Sequence, residues 1–91
     1  MNTESQDNNA SVIDYFLDIT LEVCPLTFVK TKLLIERMAP GETAEVRLQG
    51  AEPLDNVPRS VRDHGHEVVS LEKENPTGGD ESVHRLVIRK V

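Results

Sequence analysis

From Asp14 to Thr20 the chain alternates. Tyr15, Leu17 and Ile19 fall on one side of an extended backbone, and Phe16, Asp18 and Thr20 on the other. This predicts a first strand whose two faces meet different surroundings. At Cys24-Pro25 the apolar spacing changes from strand-like to helical. Nothing breaks a helix from Pro25 to Met38, and Ala39-Pro40-Gly41-Glu42 is a stop signal followed by a turn. The apolar residues of this helix fall on two arcs: Phe28, Leu34, Ile35 and Met38 on one side, Leu26, Val29 and Leu33 on another. A helix in a two-layer domain rarely buries both. The first arc is therefore assigned to the core and the second to a partial interface where a partner docks.

Ala44, Val46 and Leu48 alternate with Glu45 and Arg47, the pattern of a half-buried strand. Gly50 to Pro53 reads as a turn. Leu54, Val57 and Val61 then share a helical stripe ending at Gly65, a residue suited to the position just past a helix. Pro58 inside this stretch predicts a kinked or two-part helix. His66–Glu74 and Val83–Val91 are two further strands, joined through Asn75-Pro76-Thr77-Gly78-Gly79-Asp80 into a terminal hairpin. The order strand, helix, strand, helix, strand, strand predicts an α+β fold. Its form is a two-layer β-α-β-α-β-β sandwich, with a four-stranded mixed sheet and two helices on one face.

Ninety-one residues suit one small domain. Residues 1–13 read as a mobile tail, polar and without apolar pattern through Ser11, leading into a single domain over 14–91. A net charge of −6 opposes binding to a phosphate backbone, so nucleic acid is not an expected direct partner. No apolar run approaches a membrane span, and Met1–Ala10 lacks the basic start and apolar centre of a signal peptide. The single cysteine has no internal disulfide partner and no CxxC spacing for zinc. These features place the chain in the cytoplasm, away from membranes.

That cysteine is the main chemical candidate. Pro25 suits the first helical position, which makes Cys24 the N-cap. The unpaired N–H groups and the positive dipole end of the first turn favour a thiolate there, the form that acts as a nucleophile. A buried junction filled by a small apolar residue explains the same position structurally. Lys30 and Lys32 lie within the first turns and either has the length to reach a sulfur anion or an acidic partner, although lysines on an amphipathic helix ordinarily form its solvated face. No histidine is close to Cys24 in sequence, and no hydrolase signature appears. His64 and His66 flank a helix-ending glycine without a third ligand nearby, so no metal site is expected. Gly78-Gly79 precedes no helix and reads as a turn, not a phosphate loop.

Leu17-Asp18, Cys24-Pro25, Lys32, Met38-Ala39-Pro40-Gly41-Glu42 and the closing Leu86-Val87-Ile88-Arg89-Lys90, at this spacing, resemble the TusA-like family of sulfur-carrier proteins. The resemblance covers nearly all of Asp14–Val91. It implies the β-α-β-α-β-β fold and a Cys-Pro-x-Pro motif opening the first helix, whose cysteine carries sulfur as a persulfide. Cys24 is then the sulfur-bearing residue and Pro25 the first motif proline. No cofactor is implied beyond the transient persulfide. Implied partners are protein donors and acceptors of sulfur: cysteine desulfurases, rhodanese-like or DsrE-like proteins, serving tRNA thiolation, cofactor assembly or sulfur metabolism. Such a chain is a sulfurtransferase-type carrier rather than a stand-alone enzyme.

The chain departs from the family pattern at two positions. Thr27 replaces the second motif proline, restoring an N–H and adding a hydroxyl in the first turn, and Leu21 replaces the glycine three residues before the cysteine. Leu21 is expected to stiffen the approach loop and cover Cys24, and Glu22 adds a negative charge that opposes a thiolate. Two other functions use the same residues differently. One is a non-catalytic interaction or regulatory module with a structural Cys24, and the other is a thiol redox sensor that pairs with a second chain or a small thiol.

Overall fold

The computed structural model describes residues 13–23 and 25–91. The elements are β1 (Tyr15–Asp18), α1 (Leu26–Arg37), β2 (Thr43–Leu48), α2 (Ala51–Asp63), β3 (Glu67–Lys73) and β4 (His84–Arg89). The sheet runs β1-β2-β4-β3. β1 lies parallel to β2, while β2 pairs antiparallel with β4 and β4 with β3. This is the mixed four-stranded sheet and two-helix α+β fold expected from the patterning. The parallel β1–β2 pair needs a crossover, which α1 supplies. Among the described residues, no helix is long and apolar enough to cross a membrane.

The core forms where both helices cover one sheet face. Ala44, Val46 and Leu48 of β2 and Leu86 and Ile88 of β4 are buried there with Ile19, Leu34, Ile35 and Met38, and with Val57 and Val61 of α2. These residues alternate along each strand, so a one-residue slip would turn every one of them to the other face. Register is thereby held by burial.

Three local expectations are corrected. α1 starts one residue later than the proline suggested: Pro25, at φ −90° and ψ 6°, occupies the cap position and Leu26 is the first helical residue. The Leu26 N–H donates to Val23 O at 2.8 Å, and Val29 N–H makes the first full helical bond to Pro25 O at 3.0 Å. The chain thus turns before it coils. Gly50–Pro53 is not a free turn but the start of α2, with Gly50 at φ 100° as its cap. Pro53 is tolerated because the N–H groups of the first turn have no helical acceptor. α2 also remains one helix through Pro58, which is buried within it. At its end, Gly65 N–H donates to Arg62 O (2.9 Å) and His66 N–H to Val61 O (3.0 Å). This is the double bond of a Schellman cap, and it needs the positive φ of 86° that Gly65 supplies.

The other sheet face carries charge. Arg47 and Arg85 sit directly opposite each other on β2 and β4, a destabilising arrangement for like charges. Glu74 resolves it. Its Oε1 accepts from Arg47 Nη2 at 2.7 Å and Nε at 3.1 Å, and its Oε2 from Arg85 Nη2 at 3.2 Å. Arg47 Nη1 also reaches Asp18 Oδ2 at 2.7 Å, so one guanidinium ties β1 to the end of β3. The bonds from Arg47 hold the Glu74 carboxyl below the usual carboxylate range.

A group with a depressed pKa in the folded state stabilises the fold above its unfolded pKa and loses that contribution as pH falls through the folded value. Glu74→Gln is expected to lower the urea midpoint at pH 7, and the difference between the two proteins should shrink as pH falls through the depressed folded-state pKa of Glu74. Equal midpoints at pH 7 would show that the network contributes nothing to stability.

Candidate functional site

The segment between β1 and α1 is built by Asp18. Its Oδ1 accepts from the Thr20 N–H at 2.9 Å and the Thr20 hydroxyl at 2.7 Å, and these bonds, before the contact with Arg47, lower its pKa. Glu22 N–H donates to Ile19 O at 3.1 Å. Gln49 Nε2 donates to Thr20 O at 3.1 Å. A carboxylate thus folds the chain sharply after Ile19, whose side chain is buried. The Pro-Gly-Glu turn at the far end of α1 has a similar anchor. Glu42 Oε1 accepts from Ala39 N–H at 2.7 Å and from the Tyr15 hydroxyl at 2.9 Å, the bond that chiefly raises the Tyr15 pKa. Gly41, at φ 91°, donates its N–H to Lys90 O at 2.7 Å.

Cys24 lies outside the described residues. Its neighbours Val23 and Pro25 are exposed. The expected cover of Cys24 by Leu21 falls outside the described residues with it; Leu21 itself is 91% exposed. The loop backbone is held by hydrogen bonds rather than by side-chain burial, which leaves Leu21 free to point outward. Thr27 is fully buried on the sheet-facing flank of α1, and its carbonyl accepts from the Thr31 hydroxyl at 2.8 Å. The departure from the family motif therefore changes packing beneath the helix.

Lys30 reaches back to the loop, where its Nζ meets Glu22 Oε2 at 2.6 Å. The lysine considered as a partner for sulfur and the glutamate considered as its opponent thus neutralise each other. This contact is invisible to helical periodicity because Glu22 is not on the helix. Lys32 is brought elsewhere, to the side of α1 that faces α2. Phe28 is half-buried beside it, with its ring 6.1 Å from that of His64 rather than within the central core.

The other flank of α1 is bare. Leu26 (45% exposed) and Leu33 (54%) stand out from it with Val29, and Phe16 of β1 (60%) stands beside them. Phe16, Leu33, Lys30 and Arg37 line a shallow groove between the β1 edge and α1. Arg37 and Phe16 were not among the candidates from sequence. The signal for Phe16 lay in its place opposite Tyr15 and Leu17 in the strand alternation. Among the described residues, no group of three or more His, Asp or Glu is gathered to hold a metal ion.

Comparison with known proteins decides the family. The model for "Sulfurtransferase TusA" matches residues 15–90, which spans every element described above. The chain belongs to the TusA family. A protein of Archaeoglobus fulgidus named "Putative sulfur carrier protein" is 51% identical over 57 residues, covering 63% of this chain and 65% of that protein. One of the same name from Thermotoga maritima is 38% identical, covering 67% and 77%. In Escherichia coli the similar protein is YedF, with the same naming, 33% identical over 72% of this chain and 86% of its own. Among solved structures, a SirA-like protein from Desulfitobacterium hafniense shares the fold, with a TM-score of 0.65 at 21% identity over 82% of this chain and 95% of that one.

Removing the Glu22 charge leaves Lys30 unopposed near the motif, and removing Lys30 leaves Glu22 unopposed. Glu22→Gln should speed alkylation of Cys24 by iodoacetamide at pH 7, and Lys30→Gln should slow it, each by roughly two- to threefold given partial solvent screening. Equal rates in both variants would place the pair outside the electrostatic reach of the thiol.

Proposed function

We propose that the chain is a sulfur relay in which Cys24 accepts sulfur as a persulfide and passes it to an acceptor protein. The observation that carries this reading is the family match over residues 15–90, with Cys24-Pro25 leading directly into α1. Attack by the Cys24 thiolate on the terminal sulfur of a donor persulfide forms the Cys24 S–S bond and breaks the donor's S–S bond. The donor leaves as a thiol. No net oxidant or reductant is consumed, and the reverse attack by an acceptor thiolate discharges the carrier.

Such an exchange needs two cysteines to meet, so a donor or acceptor has to dock close to the motif. Leu26, Val29 and Leu33 supply an apolar surface running along α1 from that end, and Lys30 and Arg37 border it. Donors of the cysteine desulfurase, rhodanese-like or DsrE-like classes, and a cytoplasmic setting, are consistent with this chemistry. The exposed flank also supports a second reading, an interaction module whose binding does not require the thiol.

Incubation with a cysteine desulfurase and free cysteine should add one or more sulfur atoms to the intact mass, reversibly by reductant. Cys24→Ser should remain folded and gain none. Undiminished sulfur uptake by that variant would contradict the assignment of Cys24; no uptake by the native chain, together with a thiol that resists alkylation, would favour the interaction module.

A further inference from the structure

On the flank of α1 opposite Leu26 and Leu33, the two helices enclose a cleft of about 190 Å³. Its apolar walls are Phe28 and Ile35 from α1 and Val57 and Val61 from α2. Val57 and Val61 are almost wholly buried, so the floor is fixed by the core. An apolar cavity of about 150 Å³ is large enough to take up benzene. This cleft therefore has room for one ring with a small polar group at its open side.

The polar rim is biased toward donors. Lys32 lines it and makes no ion pair with any described carboxylate. The Ser60 side chain adds a hydroxyl. His66 Nδ1 lies 3.2 Å from the Val91 N–H and accepts from it, which puts the proton of the neutral ring on Nε2 and makes that atom a donor. His64 is oriented differently: its Nδ1 is 2.8 Å from Ser60 O, a group that only accepts, so Nδ1 carries the proton. Glu36 is the single carboxylate of the lining. The nearby C-terminus of α2 would ordinarily repel an anion, but the carbonyls of Ser60, Val61 and Arg62 already accept from His64, His66 and Gly65.

We propose that this cleft binds a small carboxylic acid whose apolar body is about the size of a phenyl ring. The ring occupies the space between Phe28, Ile35, Val57 and Val61, and the carboxylate meets Lys32 and the His66 Nε2–H at the rim. Nothing in this binding requires Cys24, so the site stands or falls apart from the sulfur relay.

Benzoate is a suitable probe, titrated into the full ¹⁵N-labelled chain, with benzylamine as its cationic counterpart. Saturable amide shifts at Phe28, Val61 and His66 are expected for benzoate and at least fivefold weaker binding for benzylamine. Lys32→Gln, an exposed change that leaves the walls intact, should weaken benzoate at least fivefold, and Ser60→Phe should block it in a variant whose spectrum remains dispersed. Absence of saturable shifts with benzoate, equal affinity for the two probes, or unchanged affinity in Lys32→Gln would each overturn the proposal.

Discussion

The burial of one flank of α1 against the sheet is the constraint on which the remainder of the molecule depends. Thr27, Thr31, Leu34 and Ile35 are buried along that flank, and with Met38 they fix both the position and the rotation of the helix. Burying an aliphatic side chain of this kind stabilises the fold by about 1.5–3 kcal/mol, so rolling α1 to hide Leu26 and Leu33 would expose more than it covered. The outer apolar residues remain on the surface because the inner ones are better placed. The same rotation turns Lys30 toward the loop and Lys32 toward α2, giving two lysines two residues apart separate environments.

Both ends of α1 are tied to the sheet by carboxylates. Asp18 folds the chain after β1 and holds Arg47. Glu42 holds Ala39 and Tyr15 beyond the other end. The Leu-Asp and Pro-Gly-Glu signatures therefore have structural work that explains their spacing: they set where the helix enters and leaves the layer. The cysteine-proline pair lies between them in the chain, and its proposed role in sulfur transfer rests on the family membership of the chain.

Much of this was legible before the fold was known. Period-two alternation in Ala44–Leu48 specified which residues of β2 enter the core, because an extended chain turns successive side chains to opposite faces. The family motif gave the element order a second, independent support. Contacts between residues distant in sequence were not legible. Glu22 with Lys30, and Glu74 between two arginines, depend on how a loop and a strand end return through space, which no local period encodes. Nor was the exposure of Leu21 legible, since an apolar residue in a loop carries no period that assigns it a face. Pro53 misled because a proline in the first helical turn and one in a free turn obey the same local chemistry.

The proposed relay separates chemistry at Cys24 from recognition on the bare flank of α1. Its most direct test compares two routes of sulfur loading in Leu33→Lys: inorganic polysulfide, which needs no docking, and a cysteine desulfurase able to load the native chain. Loss of at least tenfold in the desulfurase-driven rate, with polysulfide loading unchanged, is the predicted result. Native rates by both routes would contradict the account, since sulfur would then reach Cys24 without use of that surface.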